Sequence, residues 1–279
     1  AFRSLRYQTP DGMAVRVGLA EDDFLMEDQR TYGDSSYKAY APMDYEYPEV
    51  EAGQEARQVL TISVSDAPRA TAPEGPVRIS LGGRIADRTM PRITRAVTRE
   101  RRPGFGAINR RREQHADAET LGWSYCPALH LPDDDTFMEN LSAIVDQVRT
   151  VRTFAPDAAI RIGPIGINAP YPRSGPDPRN RGQFAAAWAA GLARYLALAG
   201  VDEAAFALGP GPVDAVLDVL AEDAGRAVRE TALEGRRPLP VEALALEAED
   251  GAVIWLANTT DSRQEVALDL AGGRLSVSH

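Results

Sequence analysis

Alternation of apolar and polar residues dominates the first 70 or so positions of the chain. In MAVRVGL, and again in QVLTISV, apolar residues recur at every second position. The second stretch places Leu60, Ile62 and Val64 on one face, with polar residues between them. Because side chains alternate between the two faces of a strand, this pattern predicts β-strands. The composition of TAPEGPV marks a boundary after them, and VRISLGG and MPRITRAV are predicted to form further strands.

From residue 121 onward, strand patterns alternate with helix patterns. GWSYCPALHL, AAIRIGPIGI and EAAFAL are apolar runs of strand length. A helix is predicted from about Thr136 to Thr153, a second in QFAAAWAAGLARYLALAG, ending at Gly200, and a third, opened by proline, in PVDAVLDVLAED. The apolar residues of the first helix recur at helical spacing: Phe137, Leu141, Ile144, Val148 and Val151. This alternation over 121–222 indicates parallel strands joined by crossover helices.

The C-terminal part of the chain returns to strand patterns. VEALALEAEDGAVIWLAN predicts a hairpin built on Asp250-Gly251, and QEVALDL predicts one more strand. The chain as a whole therefore predicts β structure, then α/β structure, then β structure again.

Composition and charge limit the kinds of molecule that this chain is expected to bind. The chain has 279 residues and a formal net charge of −10, which argues against nucleic-acid binding as its main role. No stretch approaches the roughly 20 apolar residues that span a bilayer, so no membrane partner is expected. The single cysteine, Cys126, rules out an internal disulfide, and its apolar surroundings predict a buried, inert thiol. No signal peptide is visible, which predicts a cytoplasmic protein, but the chain begins with Ala, and we expect its N-terminal portion to be missing.

The densest polar stretch framed by structural signals is ALHLPDDDTFMEN. His130 ends a predicted strand, and three aspartates follow it before a predicted helix. Active sites of parallel α/β folds form at the carboxyl ends of strands, so this loop is placed for function. Helix-start chemistry explains the same residues, because Thr136 and Glu139 fit a capping box and aspartates favour a helix N-terminus. Both interpretations stay open at this point.

Several familiar chemistries find no support in the sequence. His130 with Asp133 or Asp134 would give a metal only two ligands, and the other histidines, His115 and His279, lie elsewhere. We find no G-x-S-x-G elbow, P-loop or G-x-G-x-x-G motif, so no metal and no cofactor are expected. What remains is carboxylate chemistry of the kind used on sugars and their derivatives.

Two further polar stretches have two interpretations each. FLMEDQRTYGDSSYKAY is either a solvated hairpin or a polar patch that faces a neighbouring domain or ligand. In DPRNRGQFAAAW, Arg179 either pairs locally with Asp177 or reaches over the strand-end face.

Taken together and in this order, these stretches resemble the D-apionate lactonase family, a group of sugar-acid lactonases built like glycoside hydrolases. The resemblance rests on FLMEDQRTYGDSSYKAY, INR at 108–110, LHLPDDDTFME and DPRNRGQFAAAW, and it covers most of residues 1–222. It implies catalytic roles for Asp133, Asp134 and His130. It also implies that Asn109, Arg110 and Arg179 line the barrel mouth. We predict that these three residues bind the substrate together with Glu139, Glu27 and Arg30.

The family implies a (β/α) barrel, but the chain is short for a complete one. We count four barrel strands, MPRITRAV, GWSYCPALHL, AAIRIGPIGI and EAAFAL, where a closed barrel has eight. We therefore predict an α/β protein: a partial (β/α) TIM-type barrel over 76–235, between antiparallel β regions at 1–75 and 236–279. Two expected acids are also absent, since Ala107 stands near Asn109 and FALGPGPV contains no acid before Asp214.

The leading functional hypothesis is a hydrolase that opens a small sugar-acid lactone, such as a D-apionolactone-like aldonolactone. Asp133 or Asp134 would be the general base, and His130 and the arginines would hold the carbonyl and hydroxyls. A glycoside hydrolase is the alternative enzyme. The third hypothesis is a catalytically degenerate carbohydrate-binding or assembly module, a homo-oligomer whose contacts cover the open sheet edges.

Overall fold

The chain forms two compact units. The computed structural model describes residues 2–9, 12–21, 24–40, 52–53, 55, 57–65, 75–96, 102–127, 131–167, 177–235 and 239–269. One unit comprises Ala1–Gln29 and Ser36–Ala72, and the other comprises Arg30–Ser35 and Pro73–His279. The short segment Arg30–Ser35 therefore belongs to the second unit, although it comes from the N-terminal part of the chain.

The first unit is built from antiparallel strands. They are β1 (Ser4–Gln8), β2 (Ala14–Ala20), β3 (Leu25–Asp28), β4 (Tyr37–Tyr40) and β5 (Val59–Val64). One sheet has the order β1-β2-β5, and β3 pairs with β4 in the other. The predicted strands MAVRVGL and QVLTISV are confirmed as β2 and β5. Leu60, Ile62 and Val64 alternate with polar residues along β5 as predicted, yet each is more than half exposed.

The second unit contains the α/β segment and the C-terminal strands. Its elements in chain order are β6 (Val77–Thr89), β7 (Arg92–Arg95), α1 (Phe105–Arg110), β8 (Thr120–Tyr125), α2 (Asp134–Glu139), α3 (Ala143–Arg152), β9 (Ala159–Ile165), α4 (Gln183–Ala199), β10 (Glu203–Phe206), α5 (Pro212–Glu222), β11 (Ala227–Glu234), β12 (Val241–Ala248), β13 (Gly251–Asn258) and β14 (Val266–Asp269).

A parallel sheet with the order β7-β10-β9-β8 contains the four predicted barrel strands. The first of them along the chain, β7, pairs with the last, β10, which is how a barrel ring closes. On the outer edge of β8, the Ser124 N–H donates to the Pro103 carbonyl at 3.0 Å, and Gly104 forms a parallel bridge with Ser124. This edge of the partial barrel thus continues through a short piece of parallel backbone.

The buried face of the first predicted helix is confirmed, but its continuity is wrong. Its apolar residues are all buried: Phe137, Leu141, Ile144, Val148 and Val151. The helix begins at Asp134, and a 3-10 turn over Asn140–Ser142 separates α2 from α3. At this turn the Asn140 carbonyl also accepts a hydrogen bond from the Tyr125 hydroxyl at 3.1 Å. A continuous helix was predicted because apolar spacing does not detect such a contact.

Helix α4 packs between two layers of the second unit. Trp188, Leu192 and Leu196 are fully buried, and the helix ends at Gly200 in the left-handed conformation that was predicted. It contacts α3 and α5, the helices that follow strands β8 and β10 of the parallel sheet. It also contacts β12 and β13 of the second sheet. Burial of this helix therefore joins the two layers.

The second layer is a five-stranded sheet with the order β13-β12-β11-β6-β14. The predicted hairpin is confirmed as β12 and β13, with Ala248 paired to Gly251, and the last predicted strand is confirmed as β14. β14 pairs in parallel with β6, whereas the other neighbours in this sheet are antiparallel. Strands β6 and β11, from within 76–235, thus share a sheet with the C-terminal strands.

The burial of α4 predicts a large effect for Trp188→Ala. Removing this fully buried indole leaves a cavity between the layers, and we expect the free energy of unfolding to fall by about 3–5 kcal/mol. Chemical denaturation would measure it. Val219→Ala on α5, where the side chain is 48% exposed, is the control, with an expected change within about 0.5 kcal/mol. Similar losses for both variants would contradict this account of the core.

Candidate active site

Arg179 is held by several contacts at the carboxyl end of the parallel sheet. It lies in the 3-10 turn Pro178–Arg181, which follows β9 and is capped by Asp177. Asp177 Oδ1 accepts from the Arg179 backbone N–H at 3.0 Å and from Nε at 2.9 Å, and Oδ2 accepts from Nη2 at 2.6 Å. The local pairing of Arg179 with Asp177 is therefore confirmed.

Arg179 also reaches across to the neighbouring strand-end loop. Its Nη1 donates to Asp134 Oδ1 at 2.7 Å, although the two residues are 45 positions apart in the chain. Both contacts considered for Arg179 thus occur in the same side chain. We refer to these two residues as the Asp134–Arg179 pair.

Two aromatic rings and two carboxylates fix the position of the guanidinium. Its central carbon lies 4.6 Å from the Phe137 ring centroid and 5.3 Å from that of Phe184, and the side chain is 18% exposed. The hydrogen bonds that Arg179 donates to Asp177, and then the one it donates to Asp134, raise the pKa of Arg179 above its ordinary value. The result is a permanent cation with little rotational freedom.

Asp133 caps helix α2, so the capping box predicted for Thr136 and Glu139 is wrong. Asp133 Oδ1 accepts from the Thr136 backbone N–H at 2.9 Å, and Oδ2 accepts from the Thr136 hydroxyl at 2.7 Å. The aspartate offers an ionised acceptor one turn earlier than the threonine, and the helix begins there. The hydrogen bonds from Thr136, first that of its backbone, lower the pKa of Asp133.

The acids that follow β8, β9 and β10 differ in how many of their oxygens are occupied. Asp177 uses both oxygens on Arg179. Asp214, the first acid after β10, accepts from Arg95 with Oδ1 and from the Gly211 N–H with Oδ2 at 2.8 Å. The hydrogen bond from Gly211 is the largest cause that lowers the pKa of Asp214. Asp134 differs from both, because only Oδ1 has a hydrogen-bond partner within the described part of the chain, and the side chain is 67% exposed.

Other residues predicted for the site lie elsewhere in the second unit. The Arg30 guanidinium pairs with Asp146 of α3 at 3.1 Å. Glu139, at the end of α2, lines a separate cleft of about 680 Å³ together with Arg194 and Glu242. The structure therefore does not place Arg30 or Glu139 with the Asp134–Arg179 pair.

Asn109 and Arg110 lie in the short helix α1. Arg110 is exposed, whereas Asn109 is half-buried and its Oδ1 is buried without a hydrogen-bond partner among the described residues. No contact found in those residues joins either side chain to the Asp134–Arg179 pair. Glu27 lies on β3 of the first unit, opposite Lys38. His130 lies outside the described residues.

Sequence reasoning missed a buried polar pair beside this site. Asp34 and Asn140 are each 5% exposed, and Asn140 Nδ2 donates to Asp34 Oδ1 at 3.0 Å. Asp34 belongs to the polar stretch over 24–40, for which a patch facing a neighbouring domain or ligand was one of two interpretations. Its partner carried no signal, because an asparagine after a helix is ordinary in any sequence.

The described residues contain neither a cluster of metal ligands nor a membrane-spanning helix. In the ranges that the structure covers, no three His, Cys, Asp or Glu side chains converge so that they could hold a metal ion. None of the helices in these ranges combines the length and apolar character needed to cross a bilayer. Cys126, which was predicted to be buried, is instead half-buried just after β8.

A partial ring of parallel strands, with a fixed carboxylate–guanidinium pair at its carboxyl end and β regions before and after it, defines a shortened (β/α)-barrel protein. Comparison with known families agrees with this class. The TIM barrel domain of D-apionate lactonase matches residues 102–245, the N-terminal domain matches 1–67, and the C-terminal immunoglobulin-like domain matches 238–279. The chain belongs to the D-apionate lactonase family.

Individual proteins that this chain resembles share less than a third of their aligned residues with it. The D-apionate lactonase of Brucella anthropi is 27% identical over 191 residues, which make up 57% of this chain and 30% of that protein. The chain thus matches less than a third of its curated relative. The crystal structure of a glucosidase from Croceicoccus marinus has 15% sequence identity and a TM-score of 0.36, covering 57% of this chain and 37% of that one.

The cap at Asp133 predicts a pH-dependent contribution to stability. Since the folded-state pKa is lowered, ionised Asp133 stabilises the fold above the ordinary aspartate pKa of about 3.9, and this contribution is lost as the pH falls through the lowered value. We expect Asp133→Ala to lower the melting temperature at pH 7 and to matter less below about pH 4. Asp133→Asn keeps an acceptor and is the control. A difference that does not change with pH would contradict the role of the ionised cap.

Proposed function

We propose that this protein opens a sugar-acid lactone, a D-apionolactone-like aldonolactone, with Asp134 as the general base. One observation carries the proposal: Asp134 is fixed through one carboxylate oxygen and leaves the other available to a substrate or water. Its family supports the substrate class, since the relative from Brucella anthropi is a D-apionate lactonase. The proposed role is in carbohydrate metabolism.

In the proposed reaction, Asp134 takes a proton from a water molecule whose oxygen attacks the lactone carbonyl carbon. The carbonyl oxygen becomes an oxyanion, next to the hydrogens of Arg179 Nη1 and Nη2 that Asp134 and Asp177 do not use. When the oxyanion re-forms the carbonyl, the ring C–O bond breaks. The leaving oxygen takes the proton from Asp134, and the product is a hydroxy acid.

Asp134 is a better candidate for the base than Asp133. Both oxygens of Asp133 accept from Thr136, and the pKa of that carboxyl is lowered, so it binds a proton weakly. Within the proposal, His130, Asn109 and Arg110 contribute to holding the hydroxyls of the substrate. No cofactor is needed for this step.

The occupied acids argue against glycoside hydrolysis. That reaction needs two carboxyl groups, one on each side of the bond. Asp177 is fully engaged by Arg179, and Asp214 by Arg95 and Gly211. A lactone requires a single base, and Asp134 supplies one at the strand-end face.

Asp134→Asn should remove lactonase activity while the melting temperature stays nearly unchanged. The amide cannot accept the proton of the attacking water, so kcat should fall by about 10²–10⁴-fold. Acid release from D-apionolactone and other aldonolactones, measured above the spontaneous rate, is the assay.

Asp135→Asn is the matched control for this experiment. Asp135 is the next residue on the same helix and is exposed, so the variant should keep wild-type turnover. A fully active Asp134→Asn enzyme would contradict the assignment of the base. A wild-type chain that melts cooperatively but shows no turnover on any lactone would overturn the enzymatic function and favour a binding or assembly module.

We also propose that the chain forms a homo-oligomer through the edges of its partial barrel. Residues 102–104 border β8 only briefly, and an open sheet edge tends to pair with another chain. We expect light scattering to report at least a dimer at micromolar concentrations. A stable monomer at high concentration would contradict this proposal.

A further inference from the structure

Asn140 connects the end of α2 to two other parts of the chain through one buried side chain. Its Oδ1 accepts from the Ser35 N–H at 2.7 Å. Its Nδ2 donates to Asp34 Oδ1 at 3.0 Å and to the Pro127 carbonyl at 3.1 Å. Because the side chain is almost completely buried, water cannot replace these hydrogen bonds when they break.

The backbone of Asn140 is engaged as well. Its N–H donates to the Thr136 and Met138 carbonyls at the end of α2, and its carbonyl accepts from the Tyr125 hydroxyl at 3.1 Å. Burial raises the pKa of Tyr125 far above its ordinary value, so the phenol stays protonated and remains a donor. Asn140 is thus attached both to the end of β8 and to helix α2.

Segment Arg30–Ser35 packs closely against the end of β8. Gly33 has a φ of +96°, and a Cβ atom built on it would lie 3.3 Å from the Pro127 Cα and 3.5 Å from the Cys126 carbonyl oxygen. A side chain at this position would be strained and crowded. The segment therefore forms a close-fitting support for Pro127, with Asp34 and Ser35 next in the chain to bind Asn140.

These contacts join both ends of the stretch that carries the site. Pro127 lies two residues after the end of β8, and Asn140 is the C-cap of α2. Asp134 lies between them, and so does Phe137, whose ring lies under the Arg179 guanidinium. The free oxygen of Asp134 therefore depends for its position on how α2 is held at Asn140.

We infer that Asn140 and Asp34 are positioning residues, which hold α2 so that Asp134 meets Arg179 in a reactive geometry. Neither side chain needs to touch the substrate. The catalytic part of this inference rests on the proposed lactonase function. Its structural part, the fixation of α2, does not.

The structural part can be tested by hydrogen exchange of the folded protein. Asn140→Leu and Asp34→Leu remove the buried hydrogen bonds, and amides in 131–139 should exchange at least about 10-fold faster, corresponding to about 1.4 kcal/mol. Amides in 188–199 of α4 are the internal reference and should keep their rates. Equal acceleration in both regions would show general destabilisation and overturn the inference, as would unchanged exchange in 131–139.

Conservative variants keep the test valid if the leucine variants fail to fold. Asp34→Asn retains an oxygen that can accept from Asn140 Nδ2, so exchange in 131–139 should stay within a few-fold of wild type. Ser142→Ala removes an exposed 3.2 Å contact between Ser142 and Ser35 and should change neither exchange nor activity. If Ser142→Ala loosened 131–139 as much as Asn140→Leu, the buried pair would have no special role and the inference would fail.

Lactone kinetics test the catalytic part. We expect Asn140→Leu to lower kcat by about 10–10²-fold with a smaller change in KM, because a shift of about 1 Å misaligns the base without removing a substrate contact. Asp34→Asn should recover most of the rate. Wild-type kcat in Asn140→Leu would overturn the positioning role. If the wild-type protein is inactive on lactones but Asn140→Leu still selectively accelerates exchange in 131–139, the lactonase proposal is refuted. The fixation of α2 then remains supported.

Discussion

The second unit depends on the burial of one alanine-rich helix. Trp188, Leu192 and Leu196 of α4 are fully buried, and the helix contacts both the helices of the parallel sheet and strands β12 and β13. Gly191 allows the close approach, since a Cβ atom there would lie 2.9 Å from Leu141 Cδ1 and 3.7 Å from the Ala257 Cβ. Small residues on this helix let the partial barrel and the five-stranded sheet share one core.

The aspartates at the carboxyl ends of the parallel strands make different contacts. Asp133 starts a helix, Asp177 fixes Arg179, and Asp214 binds Arg95. Asp134 alone among these four leaves a carboxylate oxygen without a partner in the described residues. Adjacent aspartates of the acidic loop thus make different contacts: Asp133 caps α2, whereas Asp134 binds Arg179 and is the proposed base.

Local patterns predicted most elements but not all of their boundaries. Strands and helices with clear spacing are confirmed, and so is the Gly200 cap. The start of α2 was wrong because Asp133 and Thr136 are both good cap residues, and the apolar spacing begins too late to choose between them. The break at Asn140 was missed for a different reason, since it depends on Tyr125 from the preceding strand.

The sequence alone determined what depends on neighbours in the chain: strand and helix periodicity, and the hairpin of β12 and β13. Only the tertiary structure decided that β7 adjoins β10, that Arg179 also meets Asp134, and that Asn140 binds Asp34, 106 residues away. Local spacing reflects backbone sterics and one-sided burial, which act over a few residues. Contacts between distant residues arise from the packing of whole layers, and no short window of the sequence contains that information.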